Sequence, residues 1–319
     1  MKAIKISIST ILIVVLGLLG FVYLMPVQAT RMALDAERYH AGLARKEITL
    51  SNGQHYVYLE GGTGEPLMLL HGFGADKDNF TRIARWLTPH YRVIVPDLLG
   101  FGESSHPFKE DYSPAAQADR LHQLAQALGV GALHLGGSSM GGQIAMTYAI
   151  KYPLEVRSLW LLDPAGIWSA PKSELAKLVL EQGLNPLIAK NEDEFANTFS
   201  FVMSDPPFIP RPMLNVIAQG PINNVALEEK IFHQIATYSV EAGVAGIDTP
   251  TFIVWGDQDR AINVGTGEIL HKLIQHSLLS IMHGLGHLPM VERPQQCAEE
   301  YLQFRAHMND SQVHSISMR

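Results

Sequence analysis

The chain has a single cysteine, Cys297, in 319 residues. That excludes an internal disulfide and any zinc site built on thiolates. Cys297 falls in a helix-like run and reads as a small packing residue. A surplus of positive charge is also missing. Lysine and arginine total 24 against 31 aspartate and glutamate, a net charge of −7. The electrostatic footprint of a nucleic-acid binder is therefore absent. Neither a repeat at solenoid spacing nor a low-complexity segment is visible. One stretch lacks charge altogether: no Asp, Glu, Lys or Arg occurs from Ile6 to Met25.

That uncharged run has a physical meaning. Twenty helical residues span about 30 Å, the thickness of the apolar core of a bilayer. Two readings compete. A cleavable signal peptide has a shorter apolar region and a small-x-small cleavage site, which Val27-Gln28-Ala29 supplies. An uncleaved anchor needs the longer run present here, and length favours it. Lys2 and Lys5 flank one side, while mixed charges (Arg31, Asp35, Glu37, Arg38) follow the other. The positive-inside rule then keeps the N-terminus cytoplasmic and puts the main domain outside. The alternative is a secreted or periplasmic protein cleaved near Ala29.

What is there, beyond this segment, is an alternation of strand and helix patterns. Short apolar runs at 54–60, 67–70, 91–95, 132–136, 158–162, 251–255 and 278–282 read as strands. Helical patterns lie at 77–87, 114–128, 141–151 and 292–306. The expected fold class is α/β, a mostly parallel, doubly wound sheet. Between the runs at 158–162 and 251–255 lie too many residues for one crossover helix. They read as an inserted helical cap, broken by the proline-rich 205–212. The expected division is an anchor or signal segment at 1–30, a first core part at 31–165, a cap at 166–247, a second core part at 248–310 and a tail at 311–319.

Candidate chemistry begins in LHLGGSSMGGQIA, residues 133–145. A strand runs into a glycine-rich turn and a helix follows. The frame G-x-S-x-G fits only as Gly137, Ser139 and Gly141. This is the pattern of a nucleophile elbow, in which helix and strand nearly touch and the flanking positions must be small. Ser139 is the candidate nucleophile, and Ser138 is expected to point away. A serine needs a base, and the base a carboxylate, in the chain order Ser, acid, His. Downstream strands end in Gly256-Asp257-Gln258-Asp259-Arg260 and in His283-Gly284-Leu285-Gly286-His287. Each candidate has a twin: Asp257 beside Asp259, and His283 beside His287. The residues alone leave the acid open. His287, between Gly286 and Leu288-Pro289, is the favoured base. Donors for a developing oxyanion are expected from the backbone of Met140 and of Phe73 in His71-Gly72-Phe73-Gly74.

Taken together, LLHGFG (69–74), PDLLGFGESS (96–105), GGSSMGG (136–142), WGDQDR (255–260) and GLGHLPMVERP (284–294) resemble the α/β-hydrolase superfamily over roughly residues 46–306. The nearest likeness is to membrane-anchored monoacylglycerol lipases and bacterial family V lipases. It rests on the apolar N-terminal segment, HGFGADKDNF (71–80), the S-M-G-G elbow and the PPFIP stretch of the cap. The resemblance implies the α/β-hydrolase fold and selects Asp259 as acid, three residues after Gly256. It places His287 in a G-H-x-x-x-x-E-x-P frame with Glu292 and Pro294, making His283 a bystander. It gives Asp97 a structural role and leaves Asp163, after the strand SLWLL, as a spare carboxylate and the alternative acid, since some relatives carry the triad acid on that strand. The implied activity is a lipase or esterase working through Ser139, His287, Asp259 and an acyl-enzyme. Its substrate is a small-molecule ester or lipid, probed beside the membrane that holds the N-terminal segment. No metal or organic cofactor is implied, and oligomeric state is left open. Relatives that cleave carbon–carbon bonds of ring-cleavage products also use serine. They would need an arginine for a substrate carboxylate, for which Arg211, Arg260 and Arg293 are candidates. A catalytically silent, membrane-tethered binding protein is the third reading. Phe195, Phe199, Phe201, Val202, Met203, Phe208 and Ile209 are candidates for an acyl pocket or for ordinary cap packing.

Overall fold

Apolar runs make the middle of the sheet, and charge marks its edge. The computed structural model describes residues 8–317, without the side chains of 8, 10–14 and 309–317. Eight strands form one sheet: β1 (Leu43–Thr49), β2 (His55–Gly61), β3 (Glu65–Leu70), β4 (Tyr91–Pro96), β5 (Leu133–Ser138), β6 (Val156–Leu162), β7 (Thr251–Gly256) and β8 (Ser277–Met282). Their order is β1-β2-β4-β3-β5-β6-β7-β8. β2 is antiparallel to both neighbours, and from β4 to β8 every pair is parallel. β5 and β7 are buried along their whole length, as strands covered on both faces must be. β1, LARKEIT, had no expected counterpart. It is a mostly exposed edge whose charges suppress the apolar alternation and also protect the edge from pairing with other chains.

Helices cover both faces. Pro114–Ala127 and Met140–Lys151 pack on one side, Thr81–Leu87 and Pro294–Ser317 on the other. The last helix continues past the 306 at which its pattern fades, because no Gly or Pro follows to stop it. Winding starts at β3, moves to β4, then crosses to β5. The carboxyl ends of β3 and β5 thus flank a switch point, where open α/β sheets hold their sites. Between β6 and β7 the chain forms helices Glu174–Gln182, Glu192–Val202, Arg211–Asn223, Val225–Ala236 and Glu241–Val244.

At the N-terminus, helix Ile8–Leu24 gives way at Met25 to helix Pro26–His40. The start of the uncharged run, Ile6 and Ser7, lies outside the described residues. Among those described, no single helix is long and apolar enough to cross a membrane. Val15–Leu24 and Pro26–His40 together have the length and composition of a broken span, bent by 113°. Pro26–His40 is not loose. Ala29 and Thr30 are buried, the helix touches Arg211–Asn223 and β1, and Arg38 forms a two-pronged ion pair with Asp78 at 2.8 and 2.6 Å.

Candidate active site

Ser139 occupies the turn between β5 and helix Met140–Lys151 with φ 54° and ψ −118°, a conformation L-residues rarely adopt. The neighbouring glycines show why the turn closes only with this sequence. A Cβ on Gly137 would stand 2.3 Å from the backbone of Gly141, and one on Gly141 would stand 2.1 Å from the carbonyl oxygen of Leu70. The Ser139 N–H donates to Leu162 O at 3.0 Å, and its carbonyl accepts from Ala165 N at 3.0 Å. β5 and the end of β6 thus hold the serine from both sides. Ser138 is buried, and its hydroxyl has no partner among the described residues.

The two acid–base twins are separated by burial. His287 Nδ1 lies 2.7 Å from Asp259 Oδ2, with the side chains 5% and 0% exposed. Asp259 Oδ1 also accepts from Ala261 N (2.7 Å) and Ile262 N (2.9 Å). His283 Nδ1 pairs instead with Asp257 Oδ2 at 2.9 Å, and the His283 side chain is 86% exposed. A carboxylate partner makes Nδ1 of His287 the protonated nitrogen and leaves Nε2 free to act as a base. The two loops approach closely because Gly256 has no side chain: its Cβ would meet Gly286 O at 2.0 Å. Among the described residues, Ser139 Oγ has no hydrogen-bond partner. A serine–histidine bond that closes only around substrate is common in ligand-free enzymes.

The loop after β3 supplies the other half of the site. Neither Phe73 N–H nor Met140 N–H has an acceptor among the described residues. A Cβ on Gly72 would stand 3.3 Å from Ser139 Cβ, so this loop passes directly beside the serine. His71 ties it down. Its Nε2 accepts from Leu98 N (3.0 Å) and its Nδ1 donates to Gly72 O (2.8 Å). Burial lowers the pKa of this imidazole, in keeping with the neutral form those two bonds require. The Phe73 ring meets Phe101 and Phe232 edge-on at 5.9 and 5.5 Å, and Phe232 belongs to helix Val225–Ala236.

Two residues have roles that sequence reading missed. Glu292 was visible only as part of a frame. Its Oε1 accepts from Gly286 N, and its Oε2 accepts from Ser204 N and Asp205 N. It laces the His287 loop to residues 204 and 205. Burial raises its pKa, against these three bonds. Asp163 stood as a spare. It is fully buried, and one of its oxygens lies within 4.8 Å of ligating atoms of both Asp259 and His287. No sequence signal links a residue after β6 to one after β7; parallel pairing of the two strands does.

Asp163, Asp259 and His287 form the one His/Cys/Asp/Glu group among the described residues compact enough for a metal. Asp259 already serves two N–H groups and the imidazole, which is the donor set of an acid–base relay rather than of an ion site. Asp97 accepts from Lys77 N, Lys77 Nζ and Glu103 N in a structural knot.

The apolar candidates between β6 and β7 divide. Phe195, Phe199 and Ile209 pack with Leu214 and Ala218 in a small core, and Phe199 also touches the main core. Phe201, Val202 and Met203 join the main core beside Leu285 and Met290, and Phe208 is 91% exposed. A crevice of about 560 Å³ opens between Tyr23, Pro26 and helix Arg211–Asn223, and none of the candidate catalytic residues lines it. The three candidate arginines are all engaged at the surface: Arg211 with Asp193, Arg260 with Glu174, Arg293 with Asp205.

Comparison with known proteins adds an independent line. Residues 65–294 match the family model described as the alpha/beta hydrolase fold. "Lipase 3" of Moraxella sp. (strain TA144) is 46% identical over 289 residues, covering 88% of this chain and 90% of its own length. A monoacylglycerol lipase of Mus musculus is 27% identical over 282 residues, covering 83% and 84%. The crystal structure of a bacterial membrane phospholipase A, described as a virulence factor, superposes with a TM-score of 0.86 at 38% identity, covering 94% of this chain and 97% of that one.

Proposed function

The chain belongs to the alpha/beta hydrolase family, and from that premise we propose that it is a serine carboxylic-ester hydrolase acting on lipid esters of the acylglycerol type. The observation that carries this reading is the buried Asp259–His287 pair, taken together with the strained Ser139 turn. Ser139 Oγ attacks the ester carbonyl while His287 Nε2 takes its proton. Asp259 holds the ring in the right tautomer and stabilises the imidazolium. The N–H groups of Phe73 and Met140 receive the oxyanion. The imidazolium protonates the leaving alcohol, and water, activated by the same histidine, releases the acid from the acyl-enzyme.

Substrate class rests on three supports: the names of the lipase relatives, the membrane phospholipase neighbour and the apolar N-terminal helix Ile8–Leu24. Residues 1–30 are read as a membrane anchor, with the catalytic domain on the far side from Lys2 and Lys5. Residues 166–247 are read as a cap on the core parts 31–165 and 248–310. The pairing of Arg211, Arg260 and Arg293 with carboxylates leaves none of them for a substrate carboxylate, which weighs against carbon–carbon hydrolysis.

The deciding experiment measures initial rates on p-nitrophenyl esters from acetate to palmitate, with Ser139→Ala as blank. A maximum at medium or long chains supports the lipase. A steep fall from acetate makes it a short-chain esterase. No rate above the blank on any ester refutes the ester-hydrolase reading. Mass spectrometry of the mature N-terminus tests the anchor, because a chain starting near residue 30 would overturn it.

A further inference from the structure

Asp163 sits where β6 ends, with a left-handed backbone (φ 45°) and no solvent exposure. Its Oδ1 accepts the N–H of Gly256 at 2.9 Å, while Oδ2 is buried without a donor. The carboxyl stands within 4.8 Å of Asp259 and His287 ligating atoms. Two carboxyls this close in a dry site cannot both hold a charge. Their donors decide which one does. Asp259 receives two backbone N–H groups and the imidazole; Asp163 receives one N–H. The charge belongs on Asp259 and the proton on Asp163.

We infer that Asp163 is held as a neutral carboxylic acid whose O–H donates to the Asp259 carboxylate, so that the relay runs Ser139, His287, Asp259, Asp163. The inference rests on the triad reading above and adds a positioning residue to it. Burial, reinforced by the charge of Asp259, pushes the Asp163 carboxyl well above the usual carboxylate range. The other titratable groups that face it are His287, Glu292 and the buried Cys297. A neutral donor orients Asp259 and spreads its charge. It adds no second negative charge beside His287, which would hold the imidazole protonated and idle as a base.

The test is a pH profile of kcat/KM on a soluble ester for the parent, Asp163→Asn and Asp163→Ala. The amide of Asn can accept from Gly256 and donate to Asp259, and Asn tolerates the left-handed backbone. Asp163→Asn should stay within about threefold of the parent, with the acidic limb displaced by less than about 0.3 of a pH unit. Asp163→Ala removes the donor, makes Asp259 more basic and moves that limb to higher pH. If Asp163 were ionised, Asp163→Asn would remove a real charge beside the imidazole. The limb would then fall by about one pH unit or more, and the inference would fail. Infrared difference spectra of parent against Asp163→Asn at neutral pH read the proton directly. A carboxylic-acid carbonyl band in the parent that Asp163→Asn lacks is expected; a carboxylate band in its place overturns the proposal. Full activity in Ser139→Ala or Asp259→Asn would sink the triad itself, and the infrared result would still stand on its own.

Discussion

The backbone N–H of His287 donates to the carbonyl of Val202 at 2.7 Å. The candidate base is thus bonded directly to the last turn of a helix between β6 and β7. Glu292 repeats the connection with three N–H groups from two segments. Glu292→Gln keeps the shape but offers one acceptor oxygen and an NH2 group that faces other donors. It should cost about 1–3 kcal/mol of stability. A shift of the histidine loop should lower kcat about tenfold. Thermal unfolding and kcat measured together check this. A variant unchanged in both would mean the strap is idle.

The twin residues give a sharper contrast. Ser139→Ala should lower kcat by roughly 10⁶-fold. Asp259→Asn should lower it about 10⁴-fold by disturbing the tautomer of His287. Asp257→Asn and His283→Ala, at an exposed pair, should change it by less than about twofold. Loss of activity in Asp257→Asn but not in Asp259→Asn would reverse the assignment.

The elbow predicts a purely steric effect. Gly137→Ala drives a methyl into the backbone of Gly141 and has no flexible neighbour to displace. Destabilisation at or above the roughly 1–3 kcal/mol of ordinary overpacking is expected, with low soluble yield. A normally folded, active Gly137→Ala would contradict the geometry of the turn.

Glu228 predicts a pH dependence. It is buried on helix Val225–Ala236, its Oε2 has no partner, and burial alone raises its pKa from 4.5 to about 8. The folded state therefore holds a proton that the unfolded chain releases at lower pH. Stability from this group is present below about 4.5 and is lost as pH rises toward about 8. The slope is at most about 1.4 kcal/mol per pH unit. Glu228→Gln should flatten the fall in melting temperature between about pH 5 and pH 8. Parallel curves for parent and variant would show that Glu228 is not protonated.

Much of this was readable in the chain because local chemistry carried it. The apolar runs of β3, β5 and β7 announce strands buried on both faces, and G-x-S-x-G marks a turn so tight that it needs both of its glycines. β1 was invisible because its exposed charges erase the period-two pattern. Choosing Asp259 over Asp257 needed the family resemblance, since two residues of one loop differ only in which side of it is buried. The contact of Asp163 with Asp259 joins strand ends 96 positions apart, and the links of Glu292 cross 88 and 87 positions. Such pairs are set by topology, which no short motif encodes.

Helix Pro26–His40 has a practical side. It buries Ala29 and Thr30, leans on β1 and on helix Arg211–Asn223, and fastens Arg38 to Asp78. Anyone trimming the chain to obtain a detergent-free preparation should cut just ahead of Pro26. A start after His40 would strip a strut from the folded body, and the shortened product would fail for reasons unrelated to the membrane.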